Sequence, residues 1–445
     1  MGLGIGVLLL LTNPTQALIF LASATVPILL SKAFVVVGIL VVRGPVYGIG
    51  IKQTDVIAIA LLMVFLVPKA LEKTKIQFFP LITLPALAWI LVSALSLIVA
   101  QNIPAAVAGL VYMCQQFIFC LIIANSINGK KDIEWILGGI ILGIFFEAIL
   151  GIYQGIVGHP AGLFFLGENQ SVRQQILDQI TSNRVQGTLG HPNSFSIYVT
   201  TGLPFLLAWF FITKNTITRL LCGAIFLIGA TSLIFSLSRS GWIEFLIISA
   251  IGLMAAVYLK RIKMRYAVLL ALLASLVLMG LVFFGPDVIL LRLTSNDRGS
   301  ANSRIILAKT ALAIIKDHPL LGVGLNNYML AMFLYDPSNF RLLVHNVYLL
   351  ITAETGLLGG ATFILLLASA LINCWRIFIR SKDDTLSALS IGLFSAITAI
   401  AIHGLVDYDL IGDGRLSSQF WLLIAMVAAI VQYQKKETMK DIHSK

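Results

Sequence analysis

The sequence predicts an all-α integral membrane protein. Of its 445 residues, 58% are hydrophobic and only 11% are charged, whereas a soluble globular chain carries about 25% charged residues. Apolar runs close to the ~20 residues that a helix needs to cross a bilayer recur along nearly the whole chain. Lysines and arginines cluster in alternate short connections between these runs, as the positive-inside rule requires of cytoplasmic loops. We therefore expect residues 1–445 to form a single polytopic membrane domain.

The apolar runs predict about twelve transmembrane helices, with both termini on the cytoplasmic side. Residues 1–11 have no basic n-region or small-residue cleavage site, and we interpret them as part of the first span. Residues 33–50 are ambiguous because Arg43-Gly44-Pro45 interrupts an apolar piece. Two full spans within residues 1–50 would move the N-terminus outside and make the number about thirteen. The predicted spans are 3–30, 54–70, 78–100, 103–126, 132–157, 192–213, 216–237, 240–259, 264–285, 344–376, 384–407 and 416–434.

Composition argues against two other classes of protein. The net charge of +11 does not indicate a nucleic-acid partner, because the basic residues follow the pattern of cytoplasmic loops. The four cysteines lie in apolar segments without metal-type spacing, which favours packing over a disulfide framework. They are Cys114, Cys120, Cys222 and Cys374.

Two predicted loops on the outer side are too long to be simple connectors. Residues 158–191 form one outer loop, and residues 286–343 form the largest polar block in the chain. The second contains a predicted helix, 302–316, followed by the turn sequence Pro319-Leu320-Leu321-Gly322-Val323-Gly324. Long loops on a compact scaffold are usually functional or disordered, and this one has the pattern of an ordered loop.

The outer loops carry mainly arginine, whereas the cytoplasmic clusters are rich in lysine. Membrane insertion requires positive charge but does not favour arginine outside. The planar guanidinium binds phosphate oxygens in a bidentate manner, so the outer arginines indicate a phosphate or pyrophosphate ligand. Ordinary pairing with nearby aspartates is the alternative for each one. The arginines are Arg173, Arg184, Arg239, Arg292, Arg298, Arg304, Arg341 and Arg415.

Arg304 and Arg239 are the strongest candidates among these arginines. At 100° per residue, Arg304 lies on the apolar side of its predicted helix with Ala308 and Ala311. An inward arginine needs a partner, which is either a ligand or a structural ion pair. Arg239 lies in Ser238-Arg239-Ser240-Gly241-Trp242, where a tight turn could expose backbone N–H groups to an anion. Alternatively, Arg239 and Trp242 anchor the protein at the membrane–water interface.

His345-Asn346 marks the point where the long polar loop ends and an apolar helix begins. Imidazole titrates near neutral pH and can act as a general base. Alternatively, His345 is an interfacial histidine and Asn346 caps the helix rather than binding substrate. Glu354 is about half a turn out of phase with His345 and is a poor partner for it.

Other ionisable and glycine residues in the apolar spans have two interpretations. Glu147, Glu244, His403 and Asp407 are functional candidates by default, although a structural role is at least as plausible for His403 and Asp407. These two are four residues apart and could pair with one another. Gly356, Gly359 and Gly360 fit close helix packing.

Metal catalysis is not indicated, and we expect no cofactor. The one Asp-x-Asp pattern is Asp407-Tyr408-Asp409, and a clustered set of oxygen ligands for a divalent cation is not evident. Arginines could instead stabilise a departing pyrophosphate.

Four motifs resemble those of the bacterial O-antigen ligase and polymerase superfamily. His345-Asn346, nine residues, then Gly356-x-x-Gly359 is similar to the ligase histidine pattern. Ser238-Arg239-Ser240-Gly241 resembles a Ser-Arg-[Ser/Gly]-Gly element. Arg304 with the 319–324 turn resembles the periplasmic loop helix and its Pro-x-x-Gly-x-Gly turn. Arg184 to Asn193 resembles a Gly-Thr-x-x-x-Pro-Asn segment. By motif the resemblance covers about residues 180–360.

The resemblance implies a metal-independent, inverting glycosyltransferase with about twelve spans in the bacterial inner membrane, with its active site facing the periplasm. The donor would be a glycan on undecaprenyl pyrophosphate, and the acceptor lipid A-core for a ligase or another glycan for a polymerase. Arg239 and Arg304 would bind the pyrophosphate, and His345 would take the acceptor proton. Arg184, Arg298, Arg341 and Asn346 are the expected substrate-binding residues.

A different class of function is a transporter or flippase of lipid-linked sugars. It would be expected to carry paired intramembrane charges and inverted repeats with broken helices. The sequence has no clear internal repeat, and its largest polar block lies in one outer loop. A structural scaffold would leave the outer arginines unexplained, so the sequence favours a membrane enzyme.

Overall fold

A computed structural model describes most of the chain and is largely helical. The described residues are 13–28, 30–36, 46, 48–72, 77–170, 173–177, 180–260, 263–264, 298–335, 342–412 and 415–443. The helices are α1 (Pro14–Ala24), α2 (Gln53–Glu72), α3 (Pro80–Leu95), α4 (Ile103–Ser126), α5 (Lys130–Val157), α6 (Pro192–Ile212), α7 (Thr216–Ser236), α8 (Arg239–Tyr258), α9 (Arg298–Asp317), α10 (Tyr328–Ala331), α11 (Val347–Arg380), α12 (Asp384–His403) and α13 (Arg415–His443). The strands are β1 (Ser31–Val36), β2 (Gly48–Lys52), β3 (Arg173–Leu177) and β4 (Ile180–Arg184).

Nine helices of the described residues are long and apolar enough to cross a membrane. They coincide with nine of the predicted spans, so the predicted all-α membrane fold is confirmed. Residues 265–285 of a further predicted span lie outside the described part of the chain. The nine candidate spans are Pro80–Val99, Ile103–Ser126, Lys130–Val157, Pro192–Ile212, Thr216–Ser236, Arg239–Tyr258, Val347–Arg380, Asp384–His403 and Arg415–Lys436.

Residues 3–12 and 29 of the single long span predicted over 3–30 lie outside the described part of the chain. Helix α1 has 11 residues, too few to cross a bilayer. The ambiguous piece 33–50 contributes to the antiparallel strands β1 and β2, in which Ser31 pairs with Lys52. The side chain of Gln53, the first residue of α2, holds the connection between α1 and β1. Its amide donates to Thr25 O at 3.1 Å and accepts from Leu30 N at 3.0 Å.

Side-chain caps fix where several of the helices begin. The first-turn N–H groups of a helix have no partner within the helix, and each cap supplies an acceptor for one or two of them. Proline follows three of these caps within two residues, where its missing N–H carries no cost. The capping residues are Asn13, Asn102, His191, Asn215 and Ser238.

The chain divides into two compact units. The first comprises the described residues of Met1–Gly143, Gly299–Ile377 and Gly404–Lys445. In it α13 packs against α4 and α3, and Trp89 and Trp421 stack with ring centroids 6.2 Å apart.

The second unit comprises the described residues of Ile144–Arg298 and Phe378–His403. Helix α6 is its centre and packs against α7, α8 and α12. Most of α6, from Pro192 to Leu206, is buried, as expected of a helix surrounded by other helices.

Helix α11 is broken at Gly356, and the 319–324 turn fills the break. The carbonyl oxygens of Ala353 and Glu354 accept hydrogen bonds from Val323 N and Gly324 N, both at 2.9 Å. In return Leu357 N donates to Pro319 O at 2.8 Å. The turn therefore supplies the backbone partners that the helix loses at its break. We call this exchange of three hydrogen bonds the turn–helix lock.

Glycine is required on both sides of the turn–helix lock. Gly356 has φ 74° and ψ −179°, a conformation open almost only to glycine, and a Cβ there would collide with Leu320 O. Gly322 has φ 65°, and a Cβ there would lie 2.5 Å from Ala353 O. The predicted close-packing role of Gly356 is therefore wrong in its detail, because this glycine breaks the helix and admits the turn.

We predict that Gly356→Ala destabilises the protein. The left-handed backbone costs a non-glycine residue about 1–3 kcal/mol, and the methyl group would push against the carbonyl of Leu320. The measurement is the apparent melting temperature of the purified protein in detergent. Gly129→Ala is the matched control, because a Cβ at Gly129 meets open space. Equal melting temperatures for the two variants would contradict the proposed role of the lock.

Candidate active site

His345 directly precedes the cap of α11. Asn346 caps the helix, since its Oδ1 accepts from Leu349 N at 2.9 Å. Its Nδ2 donates to Leu405 O at 3.0 Å, and Val347 N donates to Gly404 O at 2.8 Å. The start of α11 is thus tied to the connection between α12 and α13. This geometry gives Asn346 a capping role, and its predicted substrate-binding role stays a prediction.

Asp407 faces the imidazole of His345. Its Oδ1 lies 3.5 Å from His345 Nδ1, with side-chain exposures of 28% for His345 and 3% for Asp407. That distance is long for a hydrogen bond but within reach of an ionic interaction. The same carboxylate oxygen accepts from Tyr408 N at 2.8 Å, and the Tyr408 ring lies 5.5 Å from the His345 ring. The arrangement is that of a partly exposed histidine beside a buried carboxylate.

Sequence reasoning missed the pairing of His345 with Asp407. The two residues are far apart in the chain, and no spacing rule connects them. The available signal was the Asp407-Tyr408-Asp409 pattern, which we considered for metal binding and not as a partner of histidine.

Arg304 lies on α9 at the end of a buried stripe. Leu307, Ala311 and Ile314 are fully buried and follow Arg304 at helical spacing. Of the residues predicted to share the face of Arg304, Ala311 is fully buried and Ala308 is half-buried. The Arg304 side chain is half-buried. Within the described residues, no ion pair or hydrogen bond engages its guanidinium.

Arg239 begins α8, directly after the Ser238 cap. Ser238 Oγ accepts from Gly241 N at 3.4 Å, a long contact, and donates to Asn193 Oδ1 at 3.2 Å. Gly241 allows this fit, because a Cβ there would collide with Ser196 Oγ. The Ser-Arg-Ser-Gly motif thus forms a helix start fixed against α6, from which the partly exposed Arg239 extends.

Arg184 is buried and held by protein groups. Its side chain is 8% exposed, with Nε donating to Ser236 O at 3.0 Å and Nη2 donating to Asn193 Oδ1 at 3.2 Å. These contacts join the end of α7 to the start of α6. The geometry favours a positioning role for Arg184, and its predicted contact with substrate stays a prediction.

The Gly-Thr-x-x-x-Pro-Asn segment is held by buried polar side chains of α5. The Glu147 carboxylate accepts from Thr188 N at 2.9 Å and from Thr188 Oγ1 at 2.5 Å. Gln154 Oε1 accepts from Gly187 N at 2.9 Å. Glu147 is fully buried, and a Cβ at Gly187 would collide with it. The motif is therefore a structural support for the start of α6.

Two predicted substrate-binding arginines cannot be assigned to the site. Arg298 is the first residue of α9, and only its backbone is described. Arg341 lies outside the described residues. Both remain predictions.

Glu244 and His403 form a buried pair within the second unit. Glu244 Oε1 lies 3.0 Å from His403 Nδ1, and both side chains are 0% exposed. His403 bonds to Glu244 and Asp407 faces His345, so the possible pairing of His403 with Asp407 stays a prediction. Sequence spacing could not reveal this, since Glu244 and His403 lie on different helices, α8 and α12.

Glu354 also has a structural partner. Its Oε1 accepts from Tyr328 N at 3.2 Å, which links α11 to the start of α10. As expected from its helical phase, this carboxylate is not the partner of His345.

These observations define the class of the protein. It is a polytopic α-helical membrane protein with a polar loop helix, α9, and a histidine–aspartate pair beside the start of a membrane helix.

Residues 224–364 match the family model described as O-Antigen ligase. The matched range contains the Ser238–Gly241 motif, Arg304, the 319–324 turn and the His345 pattern. The predicted resemblance to the O-antigen ligase-like superfamily is thereby confirmed, and the match supports a membrane enzyme of the O-antigen ligase or polymerase type. No curated protein matches the chain.

We predict that Glu244→Ala strongly destabilises the protein. Removing one member of a buried ionic pair costs about 3–5 kcal/mol, because the remaining polar group is left in a dry core. Glu244→Gln retains the side-chain volume and a hydrogen-bonding oxygen and should lose less. The readout is the apparent melting temperature in detergent, with the exposed Glu134→Ala as control. Wild-type stability of Glu244→Ala would exclude a structural contribution from the pair.

Proposed function

We propose that the protein transfers a glycan from undecaprenyl pyrophosphate to an acceptor hydroxyl at the periplasmic face of the bacterial inner membrane. The ligase reaction, with lipid A-core as acceptor, is the form that the histidine pattern favours. The observation that supports the proposal most directly is the partly exposed His345 beside the buried Asp407. A general base of this kind contributes about 10²–10⁴-fold to a rate.

His345 acts through its Nε2 in this proposal. Because Nδ1 faces Asp407, Nε2 is the nitrogen that would accept the proton of the acceptor hydroxyl. Asp407 would hold the ring in orientation and stabilise the imidazolium that forms, as the carboxylate does in hydrolytic triads. Asn346 contributes by fixing the start of α11.

Arginine assists the departure of the leaving group. The acceptor oxygen forms a bond to the anomeric carbon as the bond from that carbon to the pyrophosphate oxygen breaks, with inversion. The proton resides on His345, and the electron pair leaves with undecaprenyl pyrophosphate. The guanidinium of Arg304 would bind the added negative charge. The resemblance assigns the same role to Arg239, and the mechanism needs no metal ion.

The distribution of charge along the chain supports a site on the periplasmic side of the membrane. In the predicted topology the lysine-rich connections are cytoplasmic, which leaves His345 and the 286–343 loop outside. An acceptor assembled outside the cytoplasm fits this placement.

Two alternatives keep specific support. A polymerase would use the same donor chemistry, with another glycan as acceptor. A transporter or flippase of lipid-linked sugar is favoured by one observation, the buried Glu244–His403 pair, because paired intramembrane charges are typical of transporters.

The deciding experiment is an in vitro reaction with purified protein and a polyprenyl-pyrophosphate glycan. A ligase joins the glycan to added lipid A-core, whereas a polymerase lengthens the glycan when only more donor is supplied. A transporter would form neither product. We expect transfer to lipid A-core that a chelator leaves unchanged. Activity that is lost with chelator and restored by a divalent metal would contradict the metal-free mechanism.

We predict that His345→Ala and Arg304→Ala each abolish measurable transfer while the protein stays folded. Loss of the base should cost about 10²–10⁴-fold, and loss of the cation that binds the leaving group about 10²–10³-fold. Asp407→Asn should lower kcat more than it raises KM, because the carboxylate acts through the imidazole.

The matched controls are His318→Ala and Lys309→Ala. His318 is an exposed histidine of the same loop, and Lys309 is an exposed cation of the same helix as Arg304. Both should retain full transfer. Full activity of His345→Ala would rule out its role as the base.

A further inference from the structure

A cavity of about 400 Å³ opens in the first unit between the start of α3 and the end of α13. Its walls are largely apolar and include Phe78, Leu81 and Val431. Phe78 and Leu81 are 54% and 43% exposed, which is common for side chains that contact lipid. Two cations, Lys435 and Lys436, line the same cavity.

In the predicted topology the cavity lies at the boundary between membrane and water. The candidate span Pro80–Val99 begins there, and the candidate span Arg415–Lys436 ends there. The two lysines are exposed and directly follow the predicted span 416–434. The apolar walls belong to the adjoining turns of the two helices. A ligand of this cavity would therefore meet positive charge at one end and hydrocarbon at the other.

The polar backbone at the cavity is firmly fixed. Asn125, at the end of α4, accepts from Gln77 N at 2.8 Å and donates to Gln77 O at 3.1 Å. Thr83 Oγ1 donates to Phe79 O at 2.7 Å. These bonds hold the segment that enters α3, which forms one wall of the cavity.

The lysines at the cavity have no protein counter-ion within the described residues. The connection that follows Asn125 is also basic, because α5 begins with Lys130 and Lys131. Its acidic neighbour Asp132 is engaged, since its carboxylate accepts from Asn128 N and Gly129 N. Such an excess of positive charge is typical of the cytoplasmic face, where anionic phospholipids attract basic residues next to membrane helices.

We propose that this cavity is a binding site for an anionic diacyl phospholipid of the cytoplasmic leaflet. The phosphate lies between Lys435 and Lys436, and one acyl chain follows the apolar wall past Phe78, Leu81 and Val431. Basic pockets between membrane helices on this side bind such headgroups. The proposal is independent of the glycosyltransferase reaction, because it concerns the opposite side of the predicted topology.

The test measures lipid binding to the purified full chain in detergent. Phosphatidylglycerol is titrated against phosphatidylcholine, with native mass spectrometry and the shift in melting temperature as readouts. We expect stabilisation and retained adducts with phosphatidylglycerol. Each lysine near an anionic headgroup contributes about fivefold in affinity, so Lys435→Gln combined with Lys436→Gln should weaken binding about 30-fold.

Two further variants separate this site from general charge attraction. Lys131→Gln combined with Lys382→Gln removes the same charge from exposed positions outside the cavity and should bind as the wild type does. Lys435→Arg combined with Lys436→Arg should retain binding. Equal effects of phosphatidylcholine, equal protection by inorganic phosphate alone, or equal loss in the Lys131 and Lys382 variant would each overturn the proposal.

Discussion

A helix that breaks within a membrane protein must find new partners for its backbone. An unsatisfied N–H or C=O group in an apolar environment costs several kcal/mol, and the break of α11 at Gly356 creates such groups. The turn–helix lock satisfies them with the backbone of residues 319–324. The position of α9, which carries Arg304, and the contact of Glu354 with Tyr328 N both depend on this arrangement. The loop is therefore an integrated part of the first unit.

Side-chain amides also join backbone segments near the candidate site residues. An amide both donates and accepts hydrogen bonds, so one asparagine can join two backbone segments. Asn346 joins the start of α11 to Leu405, and Asn193 accepts from both Arg184 and Ser238. Asn346 thus fixes the backbone next to His345, and Asn193 fixes the start of α8 next to Arg239.

The sequence predicted the membrane-spanning helices more fully than the contacts between distant segments. Hydrophobic length alone located the nine spans that the structure describes, because a bilayer sets one minimum length for all of them. Helical periodicity also indicated the apolar face of α9 next to Arg304, of which Ala311 is fully buried. Contacts between distant segments were not predictable, because no local pattern connects His345 with Asp407 or Glu244 with His403. The break at Gly356 was missed for a similar reason, since glycine in a helix is also common in close packing.

The turn–helix lock has a consequence for the order in which the chain is made. Residues 319–324 leave the ribosome before Ala353, Glu354 and Leu357, the residues that complete their hydrogen bonds. A nascent chain that ends before Ala353 lacks all three partners, so the turn cannot reach its final structure until α11 has been synthesised past Leu357. The loop helix and the membrane helix thus mature together, and the assembly of the candidate active site is a late event in biogenesis.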